Sequence, residues 1–306
     1  MNRDYYAQQV QLLVRVLPLI DTEKCFALKG GTAINLFYRP LPRLSVDIDL
    51  LYLPMEEREQ ALPAIRAALT RISNLIIKTI AGAQVQNAHE QSDALRLIVL
   101  YSGVRIKIEL SPVIRGTVFS EQRMAVCDLV QEKFGYAEIQ VASLPDVYAG
   151  KICAALDRQH PRDLFDVKFL LENEGFTESL RKTFLIFLIS HQRPIVELLA
   201  PHRKDIRSVY RSEFVQMAQV DVPVEELESI RETLIETIHT SLSEAERSFL
   251  LSFKSRVPDW NLLGMDNPEA IQNLPSIRWK LRNLEQMPER KHRDSLQKLS
   301  GILRIL

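Results

Sequence analysis

The sequence predicts an α+β first domain, residues 1–142, followed by an all-helical second domain, residues 143–306. Strand-like runs alternate with helical segments before Ala142, whereas apolar stripes at the 3.6-residue helical spacing dominate after Ser143. A chain of 306 residues suits about two domains. The hydrophobic fraction of 46% and the charged fraction of 25% are ordinary for globular proteins, so neither a disordered nor a fibrous class is indicated.

The first elements are predicted in chain order from periodicity and turn residues. Apolar residues at helical spacing predict a helix over residues 5–20, and CFALKGG reads as a strand that enters a glycine loop. AINLFY follows as a helical segment that ends at Pro40 and Pro42. VDIDLLYL then has the alternating, β-favouring character of a strand.

The rest of the first domain is predicted to hold a helix over residues 55–71 and three strands, LIIKTI, LRLIVLY and VRIKIELS. The last two strands form a hairpin across Ser102-Gly103. Ser143 is the expected N-cap of the first helix of the second domain, and Ser243 with Glu246 has capping-box spacing.

Charge and cysteine content bound the function. There are 39 basic and 39 acidic residues, a balance that excludes a strongly cationic nucleic-acid coat. Cys25, Cys127 and Cys153 lack the paired spacing of a zinc site or a disulfide framework and indicate reduced thiols. No apolar run is long enough to cross a membrane, so we expect a cytoplasmic protein without a membrane partner.

A glycine pair, Gly30-Gly31, precedes Thr32 between a predicted strand and a predicted helix. Glycines allow close backbone approach to a ligand, and the N–H groups that open a helix suit a phosphate. The alternative is an ordinary turn or a close packing contact, because neither a Walker motif nor GxGxxG is present.

Asp47 and Asp49 lie two apart on one predicted strand and therefore on the same face. Carboxylates inside an apolar segment are costly unless cations neutralise them, and magnesium prefers oxygen ligands. Glu109 lies near the end of VRIKIEL, so a neighbouring strand could bring a third acid to the pair, and three acids can hold two cations for phosphoryl transfer. The alternative is a strand with one solvated face.

Lys151 and Arg158 are seven apart on a predicted helix and share a face that suits a triphosphate. Asp163 and Asp166 follow three apart and either orient these cations or hold a sugar. An ordinary ion-paired helix face explains the same residues. Ser45, two before Asp47, either points with the aspartates towards phosphates or an acceptor strand, or is a loop serine bonded to its own backbone.

LKGGTAINLFYRPLPRLSVDIDL and AGKICAALDRQHPRDLFDVKFLL together resemble the AbiEii/AbiGii toxin family of nucleotidyltransferases, within the polymerase-β-like superfamily. The resemblance implies a polymerase-β-like nucleotidyltransferase domain with a mixed sheet, followed by the helical domain. The order of the two stretches along the chain, and the distance between them, suit a full-length family member. The family's third acid is often Asp, so Glu109 is placed by its strand context.

The resemblance implies a role for each matching position. Gly31 and Thr32, with Gly30, correspond to the triphosphate loop, and Asp47, Asp49 and Glu109 correspond to the metal ligands. In the helical domain Lys151 corresponds to the lysine of the third motif, and Asp163 and Asp166 fall on the fourth, so that this domain contributes to the active site. Arg158 and Ser45 are added as candidate nucleotide contacts.

The expected function is that of a toxin of a toxin–antitoxin system. It transfers NMP from an NTP, with Mg²⁺ or Mn²⁺, to RNA, a tRNA 3′ end above all, and a cognate antitoxin is an expected partner. Rival acceptors are a protein hydroxyl or a small molecule such as an antibiotic, and a non-catalytic RNA- or protein-binding module is the other alternative.

Local charge bears on the acceptor. Residues 213–272 hold 12 acidic and 4 basic residues, whereas residues 277–306 hold 8 basic and 3 acidic residues. This basic C-terminal segment either tracks RNA or docks on the acidic segment before it. Both alternatives stay open from the sequence.

Overall fold

The computed structural model describes residues 3–87 and 95–304. Its contacts divide the chain into two compact units. The first is Met1–Val147 with Glu213–Asp221, and the second is Tyr148–Ser212 with Val222–Leu306. The division into domains 1–142 and 143–306 stays a prediction.

The first unit is built on a seven-stranded mixed sheet in the order β3-β4-β5-β2-β1-β7-β6. Pairs β2–β5 and β1–β7 are parallel and the others are antiparallel. The strands are β1 (Phe26–Lys29), β2 (Asp47–Tyr52), β3 (Gln84–Asn87), β4 (Arg96–Tyr101), β5 (Val104–Arg115), β6 (Gln122–Ala125) and β7 (Glu138–Val141). The predicted mixed α+β class is confirmed.

Among residues 3–87 and 95–142, the helices that accompany this sheet are α1 (Arg3–Ile20), α2 (Gly30–Ala33), which continues as a π-helical turn over Ile34–Tyr38, α3 (Arg58–Thr79) and α4 (Asp128–Phe134). Helix α1 packs its apolar stripe against β5, β7 and α3. The predicted hairpin is present, since Tyr101 pairs with Val104 across Ser102 and Gly103, which both have positive φ as a two-residue hairpin turn requires.

One predicted strand is wrong. LIIKTI lies almost entirely in helix α3, whose buried residues Ile65, Leu69, Ile72 and Ile76 recur every three or four positions. A short apolar run does not distinguish a strand from a buried helix, and the longer period over residues 58–79 decides it. Strands β3, β6 and β7 and helix α4 have no counterpart among the predicted elements.

Helices make up the second unit, and its described residues, 148–212 and 222–304, contain no strand. They are α5 (Leu144–Asp157), whose residues from Tyr148 onward belong to this unit, α6 (Pro161–Asn173), α7 (Glu178–Ser190), α8 (Ile195–Leu199), α9 (Arg207–Val209), α10 (Val224–Ser241), α11 (Glu244–Lys254), α12 (Pro268–Gln272), α13 (Pro275–Glu285) and α14 (Glu289–Arg304). The predicted capping box is confirmed, because Ser243 Oγ accepts from Glu246 N and Glu246 Oε2 accepts from Ser243 N. Among the described residues, no helix is long and apolar enough to cross a membrane.

The basic C-terminal segment forms α13 and α14, which pack on α7, α8 and α11. Apolar side chains make this contact, and the buried members are Ile277, Leu284, Leu299 and Leu303. The cations of the segment are mostly exposed, namely Arg282, Arg290, Lys291, Arg293 and Lys298. The segment therefore docks within its own unit through apolar residues and keeps a basic outer face.

Candidate functional site

The predicted glycine loop lies where β1 ends and α2 begins. Gly30 has φ +73°, a left-handed conformation that favours glycine, and an added Cβ would lie 2.3 Å from Oδ2 of Asp49. The register explains the closeness, because Lys29 pairs with Asp49 across the antiparallel strands β1 and β2. Gly30 thus leaves the room that the Asp49 carboxylate occupies.

The neighbouring residues tie the loop to the segment before β2. Thr32 is fully buried, and its hydroxyl donates to the backbone oxygen of Asp47 at 2.5 Å and lies 3.0 Å from Ser45 Oγ. A Cβ on Gly31 would meet the Arg43 guanidinium at 2.7 Å and Ser45 Oγ at 3.1 Å. Thr32 therefore positions the Asp47 backbone and Ser45 contacts the Thr32 hydroxyl, while contact of either residue with phosphate stays a prediction.

The three predicted acids share one face of the sheet. Asp47 and Asp49 are half-buried and alternate with Ile48 and Leu50, which point into the core. Across the parallel pair β2–β5, Asp49 is in register with Glu109. Because side chains two apart on a strand share a face, Asp47, Asp49 and Glu109 project from the same side of two adjacent strands, as the sequence predicted.

A lysine that the sequence reasoning missed lies among these acids. Lys107 is in register with Asp47, and its Nζ is 3.5 Å from Asp47 Oδ1 and 3.8 Å from Glu109 Oε2. From the neighbouring strand, Arg96 Nη1 lies 3.4 Å from Glu109 Oε1. The alternation of VRIKIEL already placed Lys107 two before Glu109 on the same face, and that was the available signal.

The donor set decides how a metal would fit. In the described ranges 3–87 and 95–304, no group of three or more His, Cys, Asp or Glu side chains is positioned to hold a metal ion. Metal binding by Asp47, Asp49 and Glu109 together therefore stays a prediction, and Glu109 is within ion-pair distance of Arg96 and Lys107. Two oxygen donors on one face do fit magnesium, which proteins commonly bind through one or two carboxylates and substrate phosphates.

The second unit contains a separate buried cluster around Lys151. Its Nζ lies 2.9 Å from Asp163 Oδ1 and 3.0 Å from Asp166 Oδ2, and all three side chains are almost fully buried. Helix α5 supplies the lysine, and α6 supplies both aspartates one turn apart. The two aspartates orient the lysine, which is one of the alternatives that the sequence left open.

Arg158 joins this cluster from the solvent side. Its Nη2 donates to Asp163 Oδ1 at 2.9 Å, while 61% of its side chain is exposed. Burial alone would raise the pKa of Asp163, but Lys151 and Arg158 more than offset it and hold that pKa well below its usual range. The cluster is therefore charged, and Arg158 is its accessible cation.

Most of the chain matches one known protein family. The model of the family described as nucleotidyl transferase AbiEii toxin, type IV TA system, matches residues 11–283. The chain therefore belongs to the AbiEii family of nucleotidyltransferase toxins of toxin–antitoxin systems.

One solved structure with the same fold is MenT4, a nucleotidyltransferase toxin from Mycobacterium tuberculosis H37Rv. It aligns with a TM-score of 0.62 over 99% of this chain and 95% of MenT4, at 14% sequence identity. At this identity the likeness shows the fold. No curated protein matches the chain by sequence.

Proposed function

We propose that this toxin is a cytoplasmic, magnesium-dependent nucleotidyltransferase that moves NMP from an NTP to an RNA 3′ hydroxyl, in particular that of a tRNA, and thereby blocks translation. The observation that carries the proposal is the shared face of Asp47, Asp49 and Glu109, with Gly30 directly beside the Asp49 carboxylate. Membership of the nucleotidyltransferase toxin family supplies the reaction class.

Asp47 and Asp49 would hold the Mg²⁺ or Mn²⁺ ion, with Glu109 as the third expected ligand. The bound cation supplies positive charge that offsets the negative charge of the phosphoryl group during transfer. Around it, Gly30 and Gly31 keep side chains out of the loop, so that backbone N–H groups can face the triphosphate. Arg43 is the loop's own cation, because its guanidinium lies against Gly31.

The chain's contribution to the reaction is positioning and charge stabilisation, since phosphoryl transfer needs no covalent enzyme intermediate. Thr32 holds the Asp47 backbone oxygen, and Ser45 contacts the same Thr32 hydroxyl. The nucleotide-binding roles of Lys151, Arg158, Asp163 and Asp166 stay predictions. They are supported by the family membership and by a charged cluster that leaves the Arg158 guanidinium accessible. A cognate antitoxin is the expected partner of a toxin of this family.

The experiment that tests the proposal is incubation of the full-length protein with each α-³²P-labelled NTP, magnesium, and either total tRNA or cell protein. We expect label in tRNA, its loss with EDTA, and its loss in Asp49→Asn. The matched control is Asp128→Asn, an exposed aspartate at the start of α4 in the same unit. Label found only in protein or in small molecules would contradict a tRNA acceptor and identify those molecules as the acceptors.

Sequencing of tRNA 3′ ends after the toxin is induced in cells extends this test to the physiological acceptor. We expect added nucleotides at these ends in cells with the wild-type chain and unmodified ends in cells with Asp49→Asn. Toxicity that persists unchanged in Asp49→Asn would instead favour a non-catalytic binding module.

A further inference from the structure

A cavity of about 290 Å³ lies in the second unit, and none of its lining residues belongs to the predicted catalytic set. Helices α8, α11, α13 and α14 supply most of its lining. Its walls are mainly apolar, and they include Ile195, Phe253, Leu284, Met287 and Leu299. An apolar cavity with a few polar groups at its edge is the usual form of a small-molecule site.

Three lysines line the same cavity: Lys254, Lys280 and Lys291. Within residues 3–87 and 95–303, none of the three has a carboxylate at ion-pair distance, although the exposed surface has many such pairs. Lys280 Nζ donates instead to the backbone oxygen of His191. The cavity therefore carries positive charge that the described part of the protein does not neutralise.

The pKa values of two of these lysines reflect the same imbalance. Burial, and to a smaller extent the charge of Lys254, lowers the pKa of Lys280 to about 8. Burial also lowers the pKa of Lys254, with Arg256 and Lys291 adding to the effect. An anion in the cavity would relieve this repulsion, because an opposite charge stabilises the protonated amines.

The cavity also offers groups that suit a planar, polar ring. Trp279 lines it and keeps 39% of its surface exposed, whereas Trp260 is buried. Gln192 and Asn283 bring amide groups to the lining. An accessible indole stacks on any nucleobase, and amides can hydrogen-bond to the edge of a base.

We propose that this cavity binds a nucleoside phosphate, with its base against Trp279 and the apolar wall and its phosphate among Lys254, Lys280 and Lys291. The ligand is either a free nucleotide or an unpaired nucleotide within RNA, since both present this chemistry. None of these residues belongs to the predicted catalytic set. The proposed cavity site and the proposed transfer reaction can therefore be tested separately.

The test measures Trp fluorescence and calorimetric binding with the full-length protein in EDTA. The probes are AMP, adenosine, inorganic phosphate, octyl phosphate and a single-stranded A₆ oligonucleotide. We expect AMP to quench Trp279 and to bind at least tenfold more tightly than adenosine or phosphate, because only AMP engages both halves of the site. Equal affinity for octyl phosphate, or no quenching by AMP or A₆, would overturn the proposal.

Variants then locate the binding. Trp279→Ala should weaken AMP binding about tenfold, the loss of one base-stacking contact. Lys254→Gln should weaken it severalfold and lower the slope of log affinity against log salt by about one. Lys298→Gln is the matched control, an exposed lysine on α14 outside the lining, and an equal loss in this control would overturn the assignment.

The same binding measurements distinguish a free nucleotide from a nucleotide within RNA. A₆ that binds more tightly and with a steeper salt slope than AMP indicates RNA, because additional phosphates release additional counterions. Equal affinity and slope indicate a free nucleotide. Asp49→Asn should leave AMP binding here unchanged, so failure of the proposed transfer reaction and failure of this site are distinguishable. Thermal unfolding temperatures close to that of the wild type show that the variants are folded. The comparison of AMP with adenosine, phosphate, octyl phosphate and A₆ uses the wild-type protein and does not depend on any variant.

Discussion

The carboxylate of Asp49 occupies the space that a side chain on Gly30 would need, with Oδ2 only 2.3 Å from an ideal Cβ position. This relationship links the glycine loop to the predicted metal ligands. Only a residue without a Cβ allows the left-handed turn at Gly30 and the present position of Asp49 together.

Gly30→Ala should therefore abolish nucleotide transfer and lower the free energy of unfolding by about 1–3 kcal/mol. The strained φ accounts for part of this loss, and displacement of Asp49 accounts for the loss of activity. Gly82→Ala is the control, because Gly82 has φ +86° but no atom within 4 Å of its added Cβ. Urea unfolding and label transfer to tRNA measure both effects, and full activity of Gly30→Ala would contradict the prediction.

Lys107→Gln should tighten Mn²⁺ binding severalfold. The Lys107 ammonium lies 3.5 Å from Asp47 and 3.8 Å from Glu109, so it competes with a divalent cation for the same carboxylates. Electron paramagnetic resonance of free Mn²⁺ measures the affinity without any turnover. Lys133→Gln, a change at the exposed end of α4, should leave the affinity unchanged. Weaker Mn²⁺ binding in Lys107→Gln would instead make Lys107 a residue that helps to assemble the site.

The face of the predicted site follows directly from the period of two in a strand. The alternation in VDIDL puts Asp47 and Asp49 on one face of β2. The same rule puts Glu109 on one face of β5 and Val104, Ile106 and Ile108 on the other. Periodicity does not reveal which strands are neighbours. The parallel pairing of β2 with β5, which brings Lys107 beside Asp47, depends on long-range packing that is absent from any local pattern.

The helical unit shows a similar division. The spacing of Asp163 and Asp166 predicted that they share one helix face, yet whether these carboxylates serve a ligand or orient Lys151 depends on their burial. The misassigned LIIKTI has the same cause, because an apolar run fits a buried helix and a buried strand equally well. Tertiary context decides both questions.

Lys151→Ala should lower the free energy of unfolding by about 3–5 kcal/mol, because it leaves the buried carboxylates of Asp163 and Asp166 without their shared cation. Lys168→Ala is a suitable comparison on α6, since Lys168 pairs with the exposed Glu172 and Glu226 and should cost far less. Chemical denaturation at neutral pH measures both values. A loss for Lys151→Ala no larger than that for Lys168→Ala would show that the buried pair adds little.

Acid should remove the contribution of Asp163 in a defined pH range. Burial acts to raise its folded-state pKa, but Lys151 and Arg158 more than offset burial and hold this pKa well below the usual range of an aspartate. The unfolded chain therefore takes up a proton first as the pH falls, and the stabilisation is complete above about pH 5 and declines below pH 4. Urea unfolding of wild type and Asp163→Asn should give a large difference in free energy at pH 6, and this difference should shrink steadily towards pH 2. A difference that stays constant over this range would mean that the ionised carboxylate is not the stabilising form.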